Sequence, residues 1–276
     1  MSFFTIADNM RIIERNIQRL QGIEERQSKD VLKVFINGRE RLKQSLLNTS
    51  QGTFTESQIR ITMAQVDLII SEMKRTTLSK NADSTSIVKE QSINDLSREI
   101  SKFSKEFEGS DRIVPIDEIL FSMDSENLLL NRFQASIDRY ADGMRDMIQR
   151  ELTQSILSSE PSIRLINRLN DELKIKEWQV LRIARTELHN VYNASKNEGM
   201  VEIKKELIPD LKKSLFHPMD NRTSSDSKLA ASLNLVVDID KPFKYTFNGK
   251  QRVFMNPPDR PNDRSIITAY RKAWDS

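Results

Sequence analysis

Few residues in this sequence are spaced for chemistry. The only imidazoles, His189 and His217, have no second ligand at zinc-motif spacing. There is no cysteine, which excludes disulfides and thiol chemistry. No phosphate-binding loop, dinucleotide fingerprint or nucleophile elbow occurs, and seven glycines are too few for several phosphate-cradling loops. Carboxylates alternate with Lys and Arg at offsets of three and four, the pattern of solvated helix pairs. One polar stripe stands apart: Arg182, Arg185, His189 and Asn193, at offsets of 3, 4 and 4, share one face of a helix. Such a face, with Arg182, Arg185 and His189 as its contacts, could meet phosphate or a partner chain. The structural alternative has Arg185 and Glu187 bonding neighbouring backbone and loops. It is favoured because a nucleic-acid face carries more Lys and Arg. A second cluster, Asp220-Asn221-Arg222-Thr223, suits a locked turn, since Asp and Asn bond their own backbone. A buried Arg222 would need a carboxylate or carbonyl partner. No constellation of nucleophile, base and electrophile can be assembled, so no catalytic, metal or cofactor-binding residue is assigned, and the chain is expected not to be an enzyme.

These residues sit in a chain of 276 residues with 37% hydrophobic and 30% charged residues. Long helices with narrow apolar stripes account for the low apolar content. The formal net charge is +3, unevenly placed: residues 201–276 hold 14 Lys/Arg against 10 Asp/Glu. That excess could face nucleic acid, but a solvated surface explains it as well. No run approaches the ~18 apolar residues of a membrane span, and the first residues do not read as a signal peptide.

The first two thirds read as helices. Ile6, Met10, Ile13, Ile17 and Leu20 form a heptad seam. Val31, Phe35, Leu42 and Leu46 continue it, either on one long helix weakened at Asn37–Gly38 or on two helices. A turn is expected over Asn48 to Gly52, then a capping box of Thr53 and Glu56. Further seams run Ile59, Met63, Val66, Ile70, Met73; then, after a polar break from Asn81 to Ser86, Ile93, Leu96, Ile100, Phe103, Phe107, ended by Gly109 to Pro115; then Leu130, Phe133, Ile137, Tyr140, Met144, Met147. The spacing predicts an elongated antiparallel bundle over 1–157 in preference to an oligomeric coiled coil, since helices of ~25 residues span ~37 Å.

Pro161 suits the first turn of a short helix over 162–172. Another helix is expected from Ile175 to Gly199, burying Trp178, Leu181, Ala184, Leu188 and Val191. Six of the eight prolines lie at 209 or beyond. Phe243, Tyr245 and Phe247 alternate with Lys244 and Thr246 as in a half-buried strand, and Asn248–Gly249 then signals a hairpin returning through Gln251 to Met255. Val236 to Ile239 is a candidate pairing strand. The fold expected is mainly α with a small α+β C-terminal unit over 158–276, a helix plus a short antiparallel sheet.

Four stretches carry a resemblance. They are Arg182-Ile183-Ala184-Arg185-Thr186-Glu187-Leu188 with Tyr192-Asn193; Asp220-Asn221-Arg222-Thr223; Val236 to Phe243; and Asn256-Pro257-Pro258 with Asn262-Asp263-Arg264-Ser265. In this order, over about 150–265, they resemble the Mu F-like phage head morphogenesis family, with its Arg-Ile-Ala-Arg-Thr-Glu helix and Asp-x-Arg-Thr turn. Ser227 stands where that family often has His, and Asp263 and Ser265 where it often has two cysteines, so a metal or thiol role at those positions is not carried over. The resemblance implies a minor virion protein of a tailed bacteriophage, present in the host cytoplasm during assembly and then in the head. Its partners would be portal or capsid proteins and packaged DNA, with no membrane, cofactor or small-molecule substrate. The alternative is a nucleic-acid-binding virion protein that protects or guides the genome end. In either reading Arg185, Glu187, Asp220 and Arg222 hold the fold through packing and hydrogen bonds.

Overall fold

A computed structural model describes residues 3–49, 54–109, 123–221, 223–261 and 263–275. Of these, 74% are helical, in five α-helices: α1 (Phe3–Thr49), α2 (Glu56–Glu108), α3 (Met123–Leu157), α4 (Ser162–Glu206) and α5 (Ser225–Ser232). The strands are β1 (Lys212–Phe216), β2 (Val236–Asp238), β3 (Phe243–Phe247), β4 (Lys250–Phe254) and β5 (Ile266–Tyr270), followed by a 3-10 turn, Lys272–Asp275. The fold is thus long helices first, then a helix with small antiparallel sheets, as the spacing predicts.

The helices run further than expected. α1 passes through Asn37–Gly38 without a break. A hydrogen atom suffices at Gly38 because Met73 lies against it: a Cβ there would overlap the Met73 side chain. α2 continues through the polar stretch Asn81 to Ser86. Thr77, Asn81 and Thr85 recur every fourth residue and are buried, and Gln27 Nε2 donates to Asn81 Oδ1 at 2.7 Å, so the polarity marks a buried helix face rather than a loop. Instead of two helices after Pro161 there is one, because Leu165, Leu169, Leu173, Val180 and Ala184 keep one face buried across the expected gap. On α4, Ala184, Leu188 and Val191 are buried as expected, while Trp178 is 56% exposed and Leu181 half-buried.

The caps also differ. The box at the start of α2 uses Thr55 and Gln58: Gln58 N donates to Thr55 Oγ1 at 3.3 Å, and Thr55 N donates to Gln58 Oε1 at 2.8 Å. Glu56 instead accepts from Arg60 on the exposed surface, and Thr53 and most of the expected 48–52 turn lie outside the described residues. α2 ends at Glu108 before Gly109, whose φ of 62° is the left-handed value at which a glycine ends a helix without strain.

By packing, the chain divides into two units. Unit 2 comprises Arg26–Asp83 and Leu130–Ala184. Its core is helical: Val31, Phe35, Leu42 and Leu46 of α1, Val66, Ile70 and Met73 of α2, Met144, Ile148 and Leu152 of α3, and Leu165 to Ala184 of α4. Phe35 meets Tyr140 edge to face at 5.4 Å. Arg39 pairs with Glu177 at 2.5 Å, and Arg145 with Asp67 at 2.6 Å.

Unit 1 comprises Met1–Glu25, Ser84–Leu129 and Arg185–Ser276. Here Ile13, Ile17, Leu20 and Ile23 of α1 pack with Leu188, Val191 and Tyr192 of α4 and with Ile266. Ile93, Leu96, Ile100 and Phe103 of α2 pack with Met200, Leu215, Phe243, Ile267 and Trp274. The side chains of Ile6, Met10 and Phe107, assigned to seams by their spacing, are outside the description.

The hairpin forms as predicted. β3 and β4 pair antiparallel in register Phe243↔Phe254, and Asn248 and Gly249 take φ of 49° and 73°, the two positive values a tight hairpin turn needs. Val236–Asp238, however, does not pair with it. It joins β1, and β1 joins β5, in a separate sheet of order β2-β1-β5.

Candidate functional site

The stripe on α4 is not an open cationic face. Arg182 lies over the exposed Trp178 ring at 5.0 Å. Arg185 Nε sits 3.2 Å from Glu24 Oε1 of α1, and His189 Nε2 is 3.2 Å from Glu24 Oε2, with His189 only 2% exposed. Burial pushes the Glu24 carboxyl up, but the His189 hydrogen bond and the His189, Arg185 and Arg264 charges bring it below the usual carboxylate range. Thr186 is half-buried, and Glu187 accepts from Asn190 Nδ2 at 3.0 Å.

Asn193 bonds to a strand. It is fully buried; its Nδ2 donates to Ser265 O at 3.1 Å and its Oδ1 accepts from Ile267 N at 2.8 Å. The next outward-facing amide of β5, Ala269 N, donates to Glu99 Oε2 of α2 at 3.3 Å. Ile267 N and Ala269 N, two residues apart in a strand paired on one side with β1, both bond to side chains and so lie on its other edge. Side chains from α2 and α4 therefore take the place of a neighbouring strand and satisfy that edge.

Beneath the edge lies a charged network. Glu99 and Lys196 are both fully buried and pair at 2.5 Å, and Asn16 Nδ2 donates to the same carboxylate oxygen at 2.8 Å. Tyr192 OH donates to Asp95 Oδ2 at 3.0 Å, and Arg19 Nη1 reaches Asp95 Oδ1 at 2.8 Å. Lys196 also lies over the Tyr192 ring at 5.5 Å. Burial raises the Glu99 pKa, opposed by the Lys196 charge and hydrogen bond; burial, then the Asp95 and Glu99 charges, raise that of Tyr192 well above its ordinary value.

The turn after β1 closes on the stretch before β5. Arg264 holds Asp220 through two bonds of 2.8 and 2.7 Å. Thr223 Oγ1 donates to Pro218 O at 2.6 Å and accepts from Asp220 N at 2.9 Å. Arg222 and Asn262 lie outside the described residues. Pro257 and Pro258, both buried, are joined by a cis peptide bond. Just before them, Met255 O and Asn256 Oδ1 accept from Lys213 Nζ of β1 at 2.7 and 3.5 Å, and Asn197 Oδ1 of α4 accepts from it at 3.2 Å.

Ser227, Asp263 and Ser265 line one cavity of about 170 Å³ together with His217. Ser265 Oγ is bonded to Asp263 Oδ1 and lies 2.5 Å from His217 Nδ1. A carboxylate can only accept, so the hydroxyl donates to Asp263 and the imidazole N–H donates to the hydroxyl. Burial lowers the His217 pKa, which keeps the ring neutral. Burial also pushes Asp259 up to about 6, against the Arg260 charge and with the Asp263 charge and hydrogen bond. Ser265 is fully buried, with its hydroxyl held between Asp263 and His217. No group of three or more His, Asp or Glu is arranged to hold a metal ion among the described residues.

The chain has no match among protein-family models, curated proteins or solved structures. What the geometry itself provides is a set of ties: α1 to α4 through Glu24, α2 to α4 and β5 through Glu99, α4 to β5 through Asn193, and the β1 turn to the segment before β5 through Asp220 and Arg264. Sequence reasoning picked out Arg185, Tyr192, Asn193, Asp220 and Arg264 but missed Glu24 and Asp95, which Arg185 and Tyr192 meet, and the buried pair of Glu99 and Lys196. The available signal was Asp95 and Glu99, one turn apart and each directly preceding a seam position.

Proposed function

We propose that the protein is a minor structural head protein of a tailed bacteriophage, one that docks on portal or procapsid during head assembly and acts by binding rather than catalysis. The observation that carries this reading is convergence. The stretches that resemble the Mu F-like family are far apart in the chain, yet within unit 1 Asn193 bonds Ser265 and Ile267, and Asp220 bonds Arg264. Residues chosen for their likeness to a family motif thus serve each other structurally, as a shared scaffold requires. The buried state of His189 and the pairing of Arg185 with Glu24 remove the motive for placing nucleic acid on that part of α4.

The test is co-sedimentation of the purified chain with the portal and procapsids of the phage that encodes it. Docking through apolar surface predicts association that persists near 1 M salt, where the screening length is only about 3 Å. Failure to sediment with either particle, together with absence of the protein from purified virions by mass spectrometry, would remove the reading.

A further inference from the structure

We propose that the outward face of α4 pairs antiparallel with the same face of a second copy of this chain. One side of the helix is already committed: Leu165, Leu169, Leu173, Val180 and Ala184 are buried in the core of unit 2. The opposite side carries a second stripe, Asp171, Ile175, Trp178 and Arg182, at offsets of 4, 3 and 4. Those offsets are the spacing of a seam between paired helices. Ile175 and Trp178 are 61% and 56% exposed, and the Asp171 side chain is 73% exposed. Arg182, half-buried, holds its guanidinium 5.0 Å from the centre of the Trp178 ring. Tryptophan is on average a largely buried residue. Trp and Arg are also the side chains that most often dominate contacts between proteins.

The order of the stripe selects the partner. A two-fold axis between residues 176 and 177 maps 171 onto 182 and 175 onto 178. It sets Asp171 of each copy against Arg182 of the other, and Ile175 against Trp178. Each charge then meets its opposite, and each apolar side chain an apolar one. The offsets read the same from either end, as antiparallel pairing of identical helices requires. A parallel pairing would set Asp171 against Asp171 and Arg182 against Arg182, and like charges repel. Lys174, 3.5 Å from Asp171 of its own copy, flanks the seam opposite the neutral Gln179. One step further out the axis sets Arg168 opposite Arg185, but each is held by carboxylates of its own chain, Glu151 and Glu160 for the first and Glu24 for the second. The seam from 171 to 182 is about 16 Å long. That is short of a standard interface, so the dimer is weak and forms reversibly with concentration.

The inference does not rest on the head-assembly reading, since the purified full chain alone tests it. Sedimentation velocity over a rising series of concentrations should show the weight-average coefficient climbing toward that of a dimer. Tryptophan emission should shift to the blue in step, because association takes the Trp178 ring out of water; the other tryptophan, Trp274, is already buried. The single variants D171R and R182D each set like charges together twice per dimer, and should stay monomeric at concentrations where the native chain associates. The double variant D171R/R182D restores both pairs with their polarity reversed, and should regain association. Circular dichroism verifies that all three variants are folded. Three results overturn the proposal: a native chain that is monomeric throughout, single variants that associate as the native chain does, or a double variant that stays monomeric with them. Binding of a monomeric native chain to portal or procapsids, abolished in R182D, would also overturn it and assign the face to a head protein.

Discussion

Asn193 shows how much one amide side chain can hold. Replacing it with Ala leaves the Ile267 N–H and the Ser265 carbonyl buried without their partner. An unsatisfied buried polar group costs about 1–3 kcal/mol, so Asn193→Ala should lower the urea midpoint with little change in slope. Lys213 makes a different kind of demand. Burial lowers its pKa to about 8, and its three acceptors are all neutral oxygens. Between about pH 8 and 10.5 the unfolded chain binds more protons than the folded one, so stability should rise with pH through that window. Urea unfolding at a series of pH values should show that rise in the native protein and a flatter profile in Lys213→Met. At this scale the sequence was a partial guide. It identified Arg185 and Asn193 as a helix face, but Glu24 lies 165 residues from His189, and nothing local announces such a pairing.

At the scale of elements, the 3-and-4 spacing of apolar residues located every seam whose side chains are described. The ends of the helices were less legible. Breaks were expected wherever polarity interrupted a seam, and α2 and α4 run on because Asn81 is bonded internally and Leu173 keeps the buried face continuous. β1 was hidden for a similar reason: Lys212-Lys213-Ser214 reads as surface, yet Lys213 is enclosed. The alternating aromatics and Asn248–Gly249 were legible because a hairpin's signal is contained in a few consecutive residues. Gly38 offers a test of helix packing. Ala in place of a helical Gly ordinarily stabilises by about 1 kcal/mol. Here the added methyl meets Met73, and overpacking of this kind costs about 1–3 kcal/mol. Gly38→Ala should therefore lower the melting temperature, and the same substitution in a Met73→Ala background should raise it relative to Met73→Ala alone.

At the scale of the whole molecule, neither unit is a continuous piece of chain. Residues 158–276 were expected to form a unit by themselves, whereas unit 1 draws on Met1–Glu25 and Ser84–Leu129 as well as Arg185–Ser276. A fragment starting at residue 158 would lack Ile13, Ile17 and Leu20, and also Ile93, Leu96, Ile100 and the Glu99 partner of Lys196. It should show no cooperative melt by calorimetry. A sharp transition in that fragment would mean that the C-terminal residues fold without the helices that complete their core.

The side-chain-capped edge of β5 also has a consequence in time. Ala269 follows Glu99 by 170 residues. At ~5–20 residues per second, synthesis separates the two by roughly 10–30 s. Throughout that interval the Glu99 carboxylate has no strand amide to receive, and over its last ~3–10 s, once Phe216 is made and before Ile266, β1 lacks one of its two neighbours. A growing chain in that state presents an unpaired strand to any other growing chain on the same message. Arrival of β5 ends the exposure on both sides at once, because its inner amides pair with β1 and its outer ones with Asn193 and Glu99. The last strand to be made is thus the one that turns an adhesive intermediate into a closed surface.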